Sequence, residues 1–487
     1  ENPPLRWRLE MVAAPRCSTT VSVAGSSLYV EGERFEVRGV AYSPLLSFER
    51  RFEAPPDLFT PERRAVWHDD LQLLAGLGAN TLRLYNWDPA LHGGAAGLAF
   101  LDSAAAAGLR VMLPISNYFL EHREAARAIV QRIARHPAIL LWAVSNEPDA
   151  GKPAGSAEAK AAFARVASLT RVVREAEDAL GTWHPITVPL TCETRHLAAL
   201  AAAGAPWGMG GFDGNIDGGT ISSHVMQHDA GALWDVDGFN CYWGFSKPDP
   251  ADFFYARHAA STAAARAASA ASPLHAASRA RGRAGSGAGG NLSLGTSRPL
   301  LLTEWGSDSY DNIAGASSED EQAELLVAQW RRLISAEGSA AAVAPGGAAA
   351  LGGAGMPQGA GTVGGVVFEW ADEPWKAAGR TNNLGSPCSP ARPGVLAGWG
   401  PNALPDACAN EAFFGLTETV SGRGSGRRLK RAYWALRAEW TSLAPPADEA
   451  ARGPAAAALS LGSPAAAVAA RAAALAGAPL RCGGGSH

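Results

Sequence analysis

Eight short runs of strand-forming residues recur along this chain, and all but one lead into a stretch whose apolar residues fall at helical spacing. The runs are Phe35–Tyr42, Thr81–Tyr85, Arg110–Ile115, Ile139–Ser145, Ile186–Leu190, Val236–Tyr242, Leu300–Thr303 and Gly365–Phe368. Helices are expected over 62–77, where Val66, Leu71, Leu74 and Leu77 share a face and Gly78 ends the pattern. Others are expected up to Gly108, over 121–135 ahead of Pro137, and over 157–179, 319–336 and 427–440. The fifth strand alone lacks an evident helix after it. Ile139–Ser145 is continuously apolar, as a parallel strand covered on both faces should be. Strand–helix repetition of this kind predicts an α/β fold of the (β/α)8 TIM-barrel type. The stretch Ser27–Glu36 reads as a hairpin closing one end of the barrel. A doubly wound open sheet would want a Gly-rich phosphate turn after its first strand, and Gly39-Val-Ala-Tyr-Ser-Pro44 is not one.

The chain is longer than such a barrel needs, and its composition says where the surplus lies. Residues 256–298 run through Ala, Ser, Gly and Arg with six Arg and no acidic residue, 337–364 have no usable period, and 445–487 hold 17 Ala in 43 positions. Such segments bury too little apolar surface to offset their ordering entropy, so they are expected to be mobile. Removing 259–298 and 337–364 from residues 34–375 leaves 274 of 342 residues, near the ~250 typical of the fold. Both insertions fall between a helix and a strand, which puts them on the bottom face, away from the catalytic end. The expected organisation is an N-terminal extension at 1–20, a barrel over 21–441, and a disordered Ala/Gly-rich tail over 442–487.

Charge narrows the function classes. The 42 basic and 46 acidic residues leave a net charge of −4, which argues against a nucleic-acid binder. The basic run within 256–298 could touch an anionic polymer, but it reads first as a solvated loop. No uncharged apolar run of roughly 18 residues offers a membrane span, and nothing signals an oligomer. The six cysteines (Cys17, Cys192, Cys241, Cys388, Cys408 and Cys482) show no framework by spacing. Cys388 and Cys408 could staple the long loop after the eighth strand, or all six could be free thiols. No His-Glu-x-x-His, paired Cys-x-x-Cys or Asp-rich calcium loop is present, so neither a catalytic metal nor another cofactor is expected. A Gly-x-Ser-x-Gly nucleophile elbow is also missing.

The chemistry gathers at strand ends, which face the active site in this fold. The fourth strand closes in Trp142-Ala-Val-Ser-Asn146-Glu147-Pro148-Asp149 and the seventh in Leu300-Leu-Leu-Thr-Glu304-Trp305-Gly306. Two carboxylates 157 positions apart would then face one pocket. Cleaving a glycosidic bond with retention needs such a pair, a carboxylic acid to protonate the leaving oxygen and a carboxylate to attack the anomeric carbon. Plainer readings are a turn after a buried strand for Asn-Glu-Pro and a segment cap for Glu304.

These motifs resemble the clan A glycoside hydrolases, whose acid/base Glu follows Asn on strand four and whose nucleophile Glu ends strand seven. Arg135-His-Pro-Ala-Ile-Leu-Leu-Trp142 through Asp149 is similar to the family 2 catalytic barrel, the β-glucuronidase and β-galactosidase group. So are Gly238-Phe-Asn-Cys-Tyr242-Trp-Gly244 and Pro299–Gly306. Arg38-Gly-Val-Ala-Tyr42-Ser-Pro44 and Asn80-Thr-Leu-Arg83-Leu-Tyr85-Asn-Trp-Asp88-Pro89 look more like family 72, the β-1,3-glucanosyltransferases. Family 5 is less similar, since Asn240 stands where that family usually carries His. The resemblance covers about residues 27–441, without the β-sandwich domains that lead a family 2 barrel.

The resemblance implies that Glu147 is the general acid/base and Glu304 the nucleophile of a retaining β-glycoside hydrolase or transglycosylase. A nucleophile must stay ionised, and Arg83 and the Tyr242 hydroxyl are the expected donors to it. Their plainer readings are a surface ion pair and a core aromatic. Asn146 is the candidate for the sugar 2-hydroxyl. Trp370, in Val367-Phe368-Glu369-Trp370-Ala-Asp372-Glu373, is expected as the aromatic floor under the sugar, with Glu369, Asp372 and Glu373 as hydroxyl binders. Tyr42, Tyr85, Asn117 and Trp243 are weaker candidates for the rim. An oligo- or polysaccharide partner follows, and with it a secreted or secretory-pathway location. The rival class is a catalytically silent carbohydrate-binding barrel. A lyase or aldolase would need a Schiff-base Lys or metal ligands at strand ends, and the sequence offers neither.

Overall fold

A computed structural model describes residues 20–24, 27–43, 59, 63–87, 94–152, 156–191, 215–216, 219–220, 234–242, 299–311, 314–334, 362–373, 410–419 and 426–441. The fold is a (β/α)8 barrel. Its strands are β1 (Val37–Ala41), β2 (Thr81–Arg83), β3 (Arg110–Ile115), β4 (Ile139–Val144), β5 (Ile186–Thr191), β6 (Val236–Asn240), β7 (Leu300–Trp305) and β8 (Gly364–Val367). All pair in parallel with their sequence neighbours, and β8 closes the ring on β1. The described helices are α1 (Arg64–Leu77), α2 (Ala95–Ala106), α3 (Arg123–Ile133), α4 (Ala157–Leu180), α5 (Glu319–Ile334) and α6 (Arg431–Thr441).

Strand alternation separates two cores. Leu82, Val111, Leu113, Trp142, Val144, Leu300, Leu302 and Val367 face outward and pack with helix residues such as Leu71, Leu74, Ile129, Val166 and Leu326. Met112, Leu141, Ala143, Leu301 and Val366 face inward. Below them, the inner cluster continues into Val21, Leu28 and Val30 of a three-stranded antiparallel sheet, Val21–Ala24, Ser27–Val30 and Glu33–Arg34. The expected hairpin therefore caps the barrel, with one strand more than the sequence suggested.

Helix starts and stops follow local chemistry. The Ser156 hydroxyl caps α4 by accepting from the Ala159 N–H at 3.1 Å. Gly78 ends α1 at φ +91°, a conformation that costs glycine least. One expected helix is shorter than its pattern. Residues Arg427–Leu429 pair with Thr417–Thr419 as an antiparallel ribbon, and α6 begins only at Arg431. The ribbon is held by Arg427, whose guanidinium makes two 2.9 Å bonds to the buried Asp70 of α1. β8 begins at Gly364 with Thr362 and Val363 already buried, so the second insertion ends before 362 rather than at 364. The first insertion, the rest of the second, the tail, the extension before Thr20, Trp243 and every cysteine but Cys241 lie outside the described residues. Cys241 is in a disulfide, which corrects the free-thiol alternative for that position. No described helix is long and apolar enough to cross a membrane.

Two positions carry measurable stability. Gly364 sits at φ +104°, and a Cβ there would lie 2.1 Å from the Val37 carbonyl oxygen at the β8–β1 closure. Gly364→Ala is expected to lower the melting temperature by well over the few degrees of an ordinary surface change, because backbone on both sides must move. Lys430, also buried, donates to Asp372 at 2.6 Å and to Ser309 at 3.0 Å. Burial pushes the Asp372 carboxyl up to about 6, against the pull of Lys430. Removing the cation in Lys430→Met should cost roughly 3–5 kcal/mol in urea unfolding at pH 7. A carboxyl raised in the folded state is penalised only once it must ionise, so the deficit should shrink at pH 5, where Asp372 holds its proton.

Candidate active site

The upper rim of the barrel gathers polar side chains from β2, β4, β6 and β7 around one buried cation. Arg83, at the end of β2 and 1% exposed, faces inward between the outward Leu82 and Leu84. Its Nη1 donates to Glu304 Oε1 at 2.8 Å, to the Thr303 carbonyl at 2.7 Å and to Asn240 Oδ1 at 3.0 Å. Its Nη2 donates to Asn146 Oδ1 at 2.6 Å. The guanidinium also lies 4.7 Å from the centre of the Tyr85 ring.

Glu304 is 5% exposed. Besides Arg83, its Oε1 accepts from the Tyr85 hydroxyl at 2.9 Å, and its Oε2 accepts from the Tyr242 hydroxyl. Three donors, one cationic, hold this carboxylate in place. Its direction comes from an irregularity in β7. The β6–β7 register pairs Phe239 with Leu302 and then Asn240 with Glu304, so Thr303 is an extra residue. Such a shift re-aims the side chains that follow: Thr303 Oγ1 reaches Asn240 Oδ1 at 2.8 Å and Glu304 reaches Arg83, both inward.

Glu147 follows β4 on a turned backbone, with φ +64° at Ser145 and +49° at Glu147. Asn117 holds this turn. Its Oδ1 accepts from the Asn146 N–H at 2.9 Å and from the Ser145 hydroxyl, and its Nδ2 donates to the Asn146 carbonyl at 2.9 Å. The Glu147 N–H donates to the Pro189 carbonyl of β5 at 2.8 Å, and Asp149 accepts from the Thr191 hydroxyl at 2.7 Å. Glu147 Oε1 accepts from Asn240 Nδ2 at 2.8 Å. Burial and then the Glu304 charge push its carboxyl up to about 7, although Asn240 and Arg83 pull the other way and Asp149 adds to the rise. Two carboxyl groups in one site thus differ in setting, one ringed by donors and one kept near neutral pH.

The structure brings Arg83, Tyr85, Asn117, Asn146, Glu147, Tyr242 and Glu304 into this cluster. It places three other expected residues elsewhere. Trp370 is 0% exposed, belongs to the outer core, and its ring lies edge-on to Tyr433 of α6. The aromatic that joins the site is Phe368, two positions earlier and on the inward face with Val366. Its ring is edge-on to both Tyr85 (6.1 Å) and Tyr242 (5.9 Å). Tyr42 also points outward, stacked on Phe100 with its hydroxyl donating to Asp70 at 3.2 Å, so it is a core tyrosine and not a rim residue. Asp372 is taken up by Lys430 and by the Gly415 N–H at 2.8 Å, and is no hydroxyl binder. Glu369 and Glu373 are buried at 2% and 1%. Glu369 lies near enough to Tyr85 to add, after burial and Glu304, to the raised pKa of its hydroxyl. Among the described residues no group of His, Cys, Asp and Glu side chains could hold a metal ion. Asn240, which stands out in the sequence only as a departure from family 5, links Arg83 to Glu147.

No protein-family model matches the chain. A segment of 92 residues, 18% of the chain, is 34% identical to the β-glucuronidase of Felis catus and covers 14% of it. Among solved structures, a GH2 β-galacturonidase from Eisenbergiella tayi bound to galacturonate aligns at a TM-score of 0.47 and 14% identity, over 88% of this chain and 55% of that one. The chain therefore spans about half the length of that enzyme. Saccharomyces cerevisiae Gas2p in complex with laminaripentaose aligns at a TM-score of 0.49 and 14% identity, over 92% of this chain and 75% of that one.

Proposed function

We propose that this protein is a glycoside hydrolase or transglycosylase that cleaves a β-linked glycan with retention, through a glycosyl-enzyme on Glu304. The observation that carries the reading is the division of labour between the two carboxyl groups. Glu304 accepts from Arg83, Tyr85 and Tyr242, while Glu147 stays protonated up to about pH 7. The short stretch of identity to a β-glucuronidase supports the general class.

The chemistry follows from those settings. Glu147 gives its proton to the glycosidic oxygen as the bond from that oxygen to the anomeric carbon breaks. A Glu304 oxygen forms the new bond to that carbon, and the leaving alcohol departs neutral. Forming the ester consumes the Glu304 charge, which had been raising the Glu147 pKa. Glu147 is then the ionised base that takes a proton from water or from a sugar hydroxyl as either attacks the anomeric carbon. Asn146 Oδ1 already accepts from Arg83 and, at 3.2 Å, from Asn240, which leaves its Nδ2 as the group for the sugar 2-hydroxyl. Phe368, Tyr85 and Tyr242 supply an aromatic wall for the apolar face of the ring.

Glu304→Ala should abolish turnover of aryl β-glycosides, with azide partly restoring cleavage of an activated one and giving the glycosyl azide of opposite anomeric configuration. Undiminished activity in that variant would overturn the reading, and binding of glycans without any cleavage by the unaltered protein would favour a silent binding barrel. The pH profile gives a separate check. A carboxyl that must be protonated to act, with its pKa near 7, should make kcat/KM fall about tenfold per pH unit above about pH 7. Glu147→Gln should remove that limb.

A further inference from the structure

Asn240 makes four hydrogen bonds in the site, and their pattern fixes which way its amide faces. Arg83 Nη1 carries only donors, so the atom it meets at 3.0 Å must be the amide oxygen. Thr303 Oγ1 donates to that same oxygen at 2.8 Å. The amide nitrogen is therefore turned to the other side, where it donates to Asn146 Oδ1 at 3.2 Å and to Glu147 Oε1 at 2.8 Å. Asn240 is 3% exposed and lies on β6, braced from β2 and β7, so the amide has no room to flip without stranding a guanidinium N–H.

A carboxylic acid has two oxygens but one proton, and an oxygen already facing an N–H donor is a poor place for it. Among the described residues Glu147 Oε1 has that donor, and Glu147 Oε2 has no hydrogen-bond partner. We propose that Asn240 is a positioning residue that keeps the acid proton of Glu147 off Oε1 and on Oε2, the oxygen left to face the leaving group. The inference rests on the reading of Glu147 as the general acid. It adds that the acid is oriented as well as tuned, through a chain that runs Glu304, Arg83, Asn240, Glu147 with contacts of 2.8, 3.0 and 2.8 Å.

The same bond favours the ionised form, because an N–H stabilises a carboxylate more than a neutral carbonyl oxygen. The other charged groups around Glu147 are Glu304 on β7 and Asp149 beyond β4, which oppose ionisation, and Arg83 on β2, which favours it. Deleting the Asn240 donor should therefore raise the pKa of Glu147.

Two variants and two readouts test this. Asn240→Ala removes the donor. Asn240→Asp keeps acceptors for Arg83 and Thr303 but turns an acceptor toward Glu147 Oε1, which draws the proton to the wrong oxygen. Thermal melting identifies folded material for both. The first readout is the Glu147 carboxyl titration in the free protein, by infrared difference against Glu147→Gln, which needs no substrate. Its midpoint should rise in both variants. The second is kcat/KM for phenyl against 2,4-dinitrophenyl β-glycosides, since only the poorer leaving group needs the acid. The phenyl substrate should lose about 10²-fold in both variants, and the dinitrophenyl substrate no more than a few-fold. An unmoved titration, or equal losses on both substrates, would overturn the proposal, since a merely structural role for Asn240 predicts both. A raised midpoint in a protein that cleaves no glycoside would instead count against the hydrolase reading alone.

Discussion

The barrel's upper rim depends on the burial of one guanidinium. Arg83 is 1% exposed and reaches side chains or carbonyls on β4, β6 and β7 from its place on β2. Burying such a charge costs several kcal/mol unless its donors are met and a counter-charge lies close. Glu304 supplies the counter-charge, and a planar fork of donors can meet acceptors on three strands at once where an ammonium could not. The consequence is electrostatic. Among the described residues Arg83 is the one cation acting on both Glu304 and Glu147, and Glu304 holds it in an ion pair of 2.8 Å. Glu147 is left to face burial and an anion, and retains its proton to about pH 7. The difference between the two glutamates therefore follows from which of them pairs directly with that guanidinium.

That arrangement needs a rigid frame, and the rest of the fold supplies it. The outer core locks strands to helices through fully buried Trp142, Trp305 and Trp330, and the inner core below the site is apolar and capped by the N-terminal sheet. Further bracing comes from polar contacts away from the pocket. Lys430 ties the segment after β8 to Ser309 beyond β7, and Arg427 ties the 427–429 strand to α1. A rim built from residues on four strands can hold distances near 3 Å only because those strands are fixed in register.

Much of this was legible in the sequence, for physical reasons that differ by residue. The eight strands could be read because short strand-forming runs alternate with period-3.6 patterns after every strand but the fifth. Glu147, Glu304, Arg83 and Tyr242 could be read because each stands at a strand end, where this fold puts its chemistry. Trp370 and Tyr42 could not be placed, because at a strand end one step of alternation decides between pocket and helix layer, and strand limits read from sequence are uncertain by more than one residue. Phe368, which does reach the site, was hidden beside a larger aromatic. The role of Asn240 depends on the orientation of an amide, which only its partners on β2 and β7 define.

Two of the strand ends that build the candidate site, those of β4 and β7, depart from the rule that builds the remainder of the barrel. Regular alternation would send adjacent residues to opposite faces, so a strand can offer the pocket only every second side chain. At the top of β7, the extra residue lets Thr303 and Glu304 both turn inward. At the top of β4, left-handed backbone at Ser145 and Glu147 does the same for Asn146 and Glu147. Each left-handed non-glycine residue costs about 1–2 kcal/mol. The Asn117 clamp and the Glu147 N–H bond to Pro189 offset that cost locally. Smooth strands would be more stable but would halve the polar groups available to one point of the pocket. The irregularities are therefore the places where the fold gives up regularity to concentrate donors and carboxyl groups at a single point.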